Sequence, residues 1–172
     1  MSRRIVLSTF ALTVAAATGA WVSPSLAAPS MVKWPPWISI ESPVNPYDPS
    51  ARGAAMLVRA AFREGQAQLS DLSGSAEGIV AGTRRSIALR FDTTGRPNVF
   101  ALRKQWPTEG TWLLRIALKS TTAIVTLDHA GNVASVRVPT EFTATRDEVP
   151  RAVGSKEIDS ILAASVAEVA KR

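Results

Sequence analysis

The sequence has no cysteine and only one histidine among its 172 residues. Without cysteine there is no disulfide scaffold, no thiolate-ligated zinc or iron–sulfur site, no thiol nucleophile and no lipid-modified cysteine anchor. A single histidine excludes a multi-histidine metal centre. With 46% apolar and 20% charged residues, the chain lacks the bias of a collagen, a coiled coil or a disordered segment. No Gly-x-Ser-x-Gly elbow is present, because the serine of Gly74-Ser75-Ala76-Glu77-Gly78 stands one place early. No glycine-rich phosphate loop precedes a helix. After residue 27 no apolar run is long enough to span a bilayer.

Residues 1–27 read as an export signal. Met1-Ser2-Arg3-Arg4 is a short positive start, residues 5–22 form an apolar run, and Ser25-Leu26-Ala27 supplies the small residues of a cleavage site, with Pro24 just before it. Ser2-Arg3-Arg4-Ile5-Val6-Leu7 resembles a twin-arginine signal, but Ser8 stands where a lysine usually follows. The general secretory route is therefore favoured, and cleavage is expected after Ala27. The remaining 145 residues are enough for one core. They carry 18 basic and 14 acidic residues, 18 minus 14 or +4. That charge is too mild for a dedicated nucleic-acid binder. The expectation is an exported chain, periplasmic or extracellular, with no membrane span once the signal is removed.

Residues 28–36 form an opening segment that ends in Trp34-Pro35-Pro36-Trp37, where paired prolines hold the backbone extended and remove two donors. From 37 to 138 the pattern is alternation. Ile38 and Ile40 share one face of a short strand. Residues 43–49 are a loop by proline density. At 55–63 Met56, Val58, Ala60 and Phe62 lie on one side and Arg59 and Arg63 on the other; a helix competes here, but Glu64-Gly65 makes a turn. Gly74, Gly78 and Gly82 read as bulge and turn positions. Residues 84–91 alternate with Ile87, Leu89 and Phe91 inward. Residues 99–104 and 111–118 follow, the latter with Trp112, Leu114, Ile116 and Leu118 on one face and Arg115 on the other. Residues 122–128 and 133–138 flank the turn at His129-Ala130-Gly131-Asn132. Seven or eight short strands at this spacing predict an all-β antiparallel sandwich in which each sheet has one buried and one wet face.

Residues 139–154 are polar and non-periodic and read as a linker. Ser155 can then cap a helix over 155–172, whose Ile158, Ile161, Leu162, Val166 and Val169 form an apolar stripe. A short helix is marginal alone in water. The stripe must pack on the sandwich, on a second copy or on a partner.

One stretch carries a family resemblance. Pro97-Asn98-Val99-Phe100-Ala101-Leu102, the Trp106-Pro107 corner and Gly110-Thr111-Trp112 resemble an element of bacterial extracytoplasmic Ig-like domains of the YtkA-like and FixH-like kind. In those domains an aromatic strand runs through a Pro or Gly corner into Gly-x-Trp. Here Phe100, Gly110 and Trp112 take the three positions. The resemblance implies an Ig-like sandwich, and its FixH-like members imply a role in metal or membrane-complex assembly.

Catalytic and metal-binding constellations are sparse. His129 beside Asp128 sits in a turn, with no nucleophile or oxyanion site marked nearby. Ser30-Met31-Val32-Lys33 matches a Ser-x-x-Lys string but lies ahead of the fold and has no Lys-Thr-Gly partner. His129, Met31 and Met56 could in principle hold Cu(I), though Met56 falls on an apolar face. The carboxylates Glu41, Asp48, Asp71, Glu77, Asp92 and Glu109 occur singly, so a glycosidase pair would have to be assembled by the fold. Surfaces carry more weight. Arg59, Arg90, Arg103, Arg115 and Arg137 point outward from different strands and form a basic face if several share a sheet. Trp34 and Trp37 form an aromatic platform or pack over an open end of the sandwich. The expectation is a non-catalytic binding module with no cofactor or metal, and with an envelope protein or an anionic polymer as partner. An envelope metal or membrane-complex assembly factor and a small glycan hydrolase are the alternatives.

Overall fold

The computed structural model describes residues 35–62 and 65–169. The signal segment, Trp34, Arg63 and the end of the helix at 170–172 lie outside the described residues. The alternating stretches become nine strands: β1 (Trp37–Glu41), β2 (Met56–Ala61), β3 (Leu72–Val80), β4 (Thr83–Ala88), β5 (Phe91–Thr93), β6 (Val99–Leu102), β7 (Thr111–Leu118), β8 (Thr121–Leu127) and β9 (Val133–Arg137). All pair antiparallel, in a four-stranded sheet β1-β2-β6-β5 and a five-stranded sheet β4-β3-β7-β8-β9. In chain order this is A-B-E-D facing C′-C-F-G, the immunoglobulin arrangement, with β9 appended beyond G. Two further strands, β10 (Thr140–Phe142) and β11 (Glu148–Pro150), pair as a ribbon, and α1 (Ser155–Val169) follows. The all-β sandwich with one terminal helix is the fold the alternation predicts, with more strands than the seven or eight expected.

Part of the excess comes from residues 84–91, whose alternation predicts one strand but which contribute to two. The chain crosses between sheets at Leu89-Arg90, so β4 belongs to one sheet and β5 to the other. A crossing residue has no ladder partner, and its backbone groups must be satisfied some other way. The Gln105 side chain does this: its Oε1 accepts from the Arg90 N–H at 2.9 Å, and its Nε2 donates to the Arg90 carbonyl at 2.7 Å.

The interior holds Ile38, Met56, Val58, Phe100 and Leu102 from one sheet against Trp112, Leu114, Ile116 and Val125 from the other. Gly78 is not at a bulge or turn, as the sequence suggested. It lies mid-strand, paired with Trp112 across the ladder. The indole lies on its backbone so closely that a Cβ at Gly78 would sit 2.4 Å from the ring. Gly74 is likewise mid-strand, under Phe91 and Leu89. Gly110 does take the corner role: its φ is +91°, and a side chain there would meet the Ile79 carbonyl at 2.6 Å.

The outer faces depart from the expectation of one wet face per sheet. In β7 and β8 burial no longer alternates. The cause is α1, whose Ile158 and Leu162 pack with Val153 onto Leu113 and Ile124. On the opposite side residues 43–54 fold back over Leu57, Val99 and Ala101 and bury Ala51. Each sheet therefore has a second, smaller apolar layer on its outside.

The expected linker is an ordered strap. The β10–β11 ribbon returns the chain to the five-stranded sheet. There Arg151 N donates to the Pro139 carbonyl at 2.9 Å, Thr122 N to the Arg151 carbonyl at 3.0 Å, and Val153 N to the buried Thr122 hydroxyl at 3.2 Å. This aims α1 along the outer face. Ile158 N bonds the Gly154 carbonyl at 3.2 Å, so the cap position falls on Gly154 and not on Ser155. Two ion pairs hold the first turns: Arg151 grips Glu157 with both arms at 2.9 and 2.8 Å, and Arg84 reaches Asp159 at 2.8 Å while also touching Glu77 at 3.2 Å. Among the described residues no helix is long and apolar enough to cross a membrane.

Candidate binding surface

The residues singled out as a surface divide between the two sheets. Trp37 points outward from the edge strand β1 and is 52% exposed. Its β2 partner is Ala61, and Ser39 pairs with Arg59, so Trp37 and Arg59 are diagonal neighbours on one face. Arg103 follows β6, on the same side. Its charge is matched there by Asp92 at 2.9 Å, and it also donates to the Arg52 carbonyl at 3.2 Å. Arg115 and Arg137 lie on the outer face of the five-stranded sheet, in one cross-strand row on either side of Ile124. The Nε of Arg115 is buried without a hydrogen-bond partner. Arg90 stands at the crossing between sheets, and Trp34 is outside the described residues. The arginines thus form no single basic face; the structure brings together Trp37 and Arg59.

Within the loop at 43–49, which proline density alone marks, stands Tyr47, a residue no sequence pattern singles out. This side chain is 91% exposed. The loop that carries it is nonetheless held firmly. Asn45 Oδ1 accepts from Tyr47 N at 3.0 Å, and its carbonyl accepts from Asp48 N at 3.1 Å. Asp48 Oδ1 accepts from the Ser50 amide at 2.9 Å and its hydroxyl at 2.6 Å. Arg96 spans Asp48 at 3.3 Å and Glu41 of β1 at 3.5 Å. The Ser50 hydroxyl and amide, and then Arg96, hold the Asp48 carboxyl below the usual carboxylate range. The available sequence signal was Asn45 and Asp48, Asx residues that build turns, set among three prolines. Because residues 43–54 fold onto the outside of the four-stranded sheet, Trp37, Arg59 and the Tyr47 loop all belong to that side.

A separate cleft of about 440 Å³ opens at one end of the sandwich. Pro43, Val44, Met56, Asn132 and Val133 are among its lining residues, Met56 itself being fully buried. Lys104 lines it too, its Nζ donating to the Ala130 carbonyl at 3.2 Å and to Thr108 Oγ1 at 3.3 Å. The Trp106 indole donates to the Gly131 carbonyl at 3.2 Å.

The catalytic and metal candidates are dispersed. His129 is exposed in the β8–β9 turn. Asp128 builds that turn: its Oδ1 accepts from Ala130 N and Asn132 N, both at 2.8 Å, and these contacts, that of Asn132 foremost, hold its carboxyl low. Met56 is fully buried in the interior, and Met31 lies outside the described residues. Five of the six carboxylates of interest are engaged by a cation: Glu41 and Asp48 by Arg96, Asp71 by Lys119, Glu77 by Arg84 and Asp92 by Arg103. Among the described residues no group of three or more metal-ligating side chains is placed to hold an ion.

No family model, no curated protein and no solved structure matches this chain. The resemblance of residues 97–118 to YtkA-like and FixH-like domains therefore rests on those residues alone.

Proposed function

We propose that this chain is an exported, non-catalytic Ig-like binding module that recognises an acidic envelope polysaccharide on the outside of its four-stranded sheet. The observation that carries the reading is the half-exposed Trp37 ring beside Arg59 on a sheet face. An indole gives a flat apolar platform for the faces of sugar rings, and a guanidinium pairs with uronate carboxylates in a fixed fork. The firmly held Tyr47 loop adds a second ring on that side at little ordering cost. Export follows from the leader, and the mild positive charge suits an anionic polymer.

The test is a titration of the purified chain with polygalacturonate and with neutral dextran. N-terminal sequencing of the envelope form is expected to begin at Ala28. Polygalacturonate is expected to bind, dextran not to, and binding should weaken as salt rises from about 0.05 to about 0.5 M. Trp37→Ala and Arg59→Ala should each weaken binding by about tenfold, which corresponds to about 1.4 kcal/mol. Equal binding of dextran, or wild-type affinity in both variants, would overturn the proposal.

A further inference from the structure

We infer that the open edge of β4 is a docking strand, independent of the polysaccharide face, that pairs with an extended acidic peptide of another protein. The main chain supplies the first reason. Ala81 and Gly82, at φ +49° and +76°, close a tight turn between β3 and β4. The register then runs without a shift from Val80↔Thr83 to Ser75↔Ala88, and Leu89 N donates to the Gly74 carbonyl at 2.9 Å. Bonded and non-bonded pairs alternate along an antiparallel ladder. Counting back from Leu89, the backbone groups of Ile87, Arg85 and Thr83 face β3. Those of Arg84, Ser86 and Ala88 face the other way, where the sheet has no further strand. Their N–H and C=O groups stand in a row, on residues that are all exposed.

The other outer strands are guarded against such pairing. β5 has only three residues. β1 lies between Pro35-Pro36 and Pro43. β9 pairs through a register shift at Thr126/Leu127 of β8, and the strap occupies the Pro139 carbonyl beyond its end. β4 has six residues, no proline and no bulge.

Charge selects the partner. β4 contains Arg84 and Arg85 and no carboxylate, and the exposed Arg90 follows shortly after it. Arg84 is matched by Glu77 and Asp159. Arg85 and Arg90 have no ion-pair partner among the described residues. A second copy paired on this edge would bring two sets of these arginines together within the screening length of about 10 Å, which disfavours self-association. A strand that carries carboxylates gains cross-strand ion pairs instead, while its main chain fills the open ladder.

The experiment is an NMR and hydrogen-exchange titration of the ¹⁵N-labelled full chain with a capped octapeptide of alternating Glu and Thr. One control peptide replaces every Glu by Lys, and another replaces the central pair of residues by Pro. The acidic peptide should bind saturably and slow exchange of the Arg84, Ser86 and Ala88 amides at least about tenfold. Arg85 and Ile87, already bonded to β3, should keep their rates. The control peptides should each bind at least about tenfold more weakly, since one lacks the charge match and the other the ladder donors. Ser86→Pro, which removes an amide the sheet does not use, and Arg85→Glu should each weaken capture about tenfold. Equal binding of either control peptide, protection confined to other strands, absence of saturation, or the same amides protected by polygalacturonate would each overturn the inference. The peptide series decides the matter with the wild-type chain alone if a variant does not fold.

Discussion

Gly78 is where a single methyl group should be felt most. A Cβ added there would meet Trp112 Cε3 at 2.4 Å, Cδ2 at 2.5 Å and Cζ3 at 2.8 Å. Neither partner can easily yield. Gly78 is paired on both sides, with Arg85 of β4 and Trp112 of β7, and the indole is anchored by its 2.7 Å hydrogen bond to the Glu109 carbonyl. Overpacking of this kind costs about 1–3 kcal/mol. Loss of the indole hydrogen bond adds about 1 kcal/mol. Fewer unfolded conformers return about 0.5–1 kcal/mol to Gly78→Ala. The net expectation is a destabilisation of about 2 kcal/mol, read as a lowered urea midpoint by circular dichroism, with a fall in Tm of about 4–8 °C for a domain of this size. The matched control is Gly95→Ala, where nothing lies within 4 Å of the added atom; it should stay within about 0.5 kcal/mol of wild type. In a Trp112→Leu background the Gly78→Ala cost should largely vanish, giving a coupling of about 2 kcal/mol. Wild-type stability in Gly78→Ala, or an undiminished cost once the ring is gone, would refute the reasoning.

Two further outcomes follow from the helix packing. Leu162, fully buried, and Ile158 are the two α1 side chains at the centre of the outer apolar layer. Leu162→Ala, a change that costs about 2–5 kcal/mol in a packed core, should therefore release α1 locally. Amides of 155–167 should exchange at least about tenfold faster while those of β2 and β7 keep wild-type protection; equal acceleration in β2 would contradict this. The Arg151 fork, and then the charges of Arg151 and Arg137, hold the Glu157 carboxyl below its ordinary value of 4.5 against the opposing effect of burial. A group whose folded value is depressed contributes fully above the unfolded value and loses that contribution as pH falls through the folded one. Stability should thus decline below about pH 4.5, and Glu157→Gln should be less stable at pH 7 with a shallower decline; an unchanged acid slope in denaturant titrations would count against the pair.

The strand pattern was legible because face selection along a strand is local. Period-two alternation at 111–118 marked Trp112, Leu114, Ile116 and Leu118 as inward, and all four are buried. The turn at 129–132 was readable from its glycine and asparagine. The roles of Gly74 and Gly78 were not, because a glycine under a ring and a glycine at a bulge look alike until the ring's strand is placed. Nor could the sequence pair Trp37 with Arg59, or separate Arg103 from Arg115. Those relations depend on which strands are neighbours, and β2 pairs with β6 some forty residues away. The cleft was invisible for the same reason, since Ser42, Met56, Lys104 and Asn132 come from four parts of the chain.

The sequence by itself determined the class of fold and the inward set of side chains, since alternation, turn residues and the terminal apolar stripe act over a few residues each. Only the tertiary structure decided what covers the outer faces. An apolar residue on the far side of a strand, such as Leu113 or Ile124, announces that something must bury it but not what. That was settled by the strap through Arg151 and Val153, whose hydrogen bonds to Pro139 and Thr122 return α1 to its own sheet.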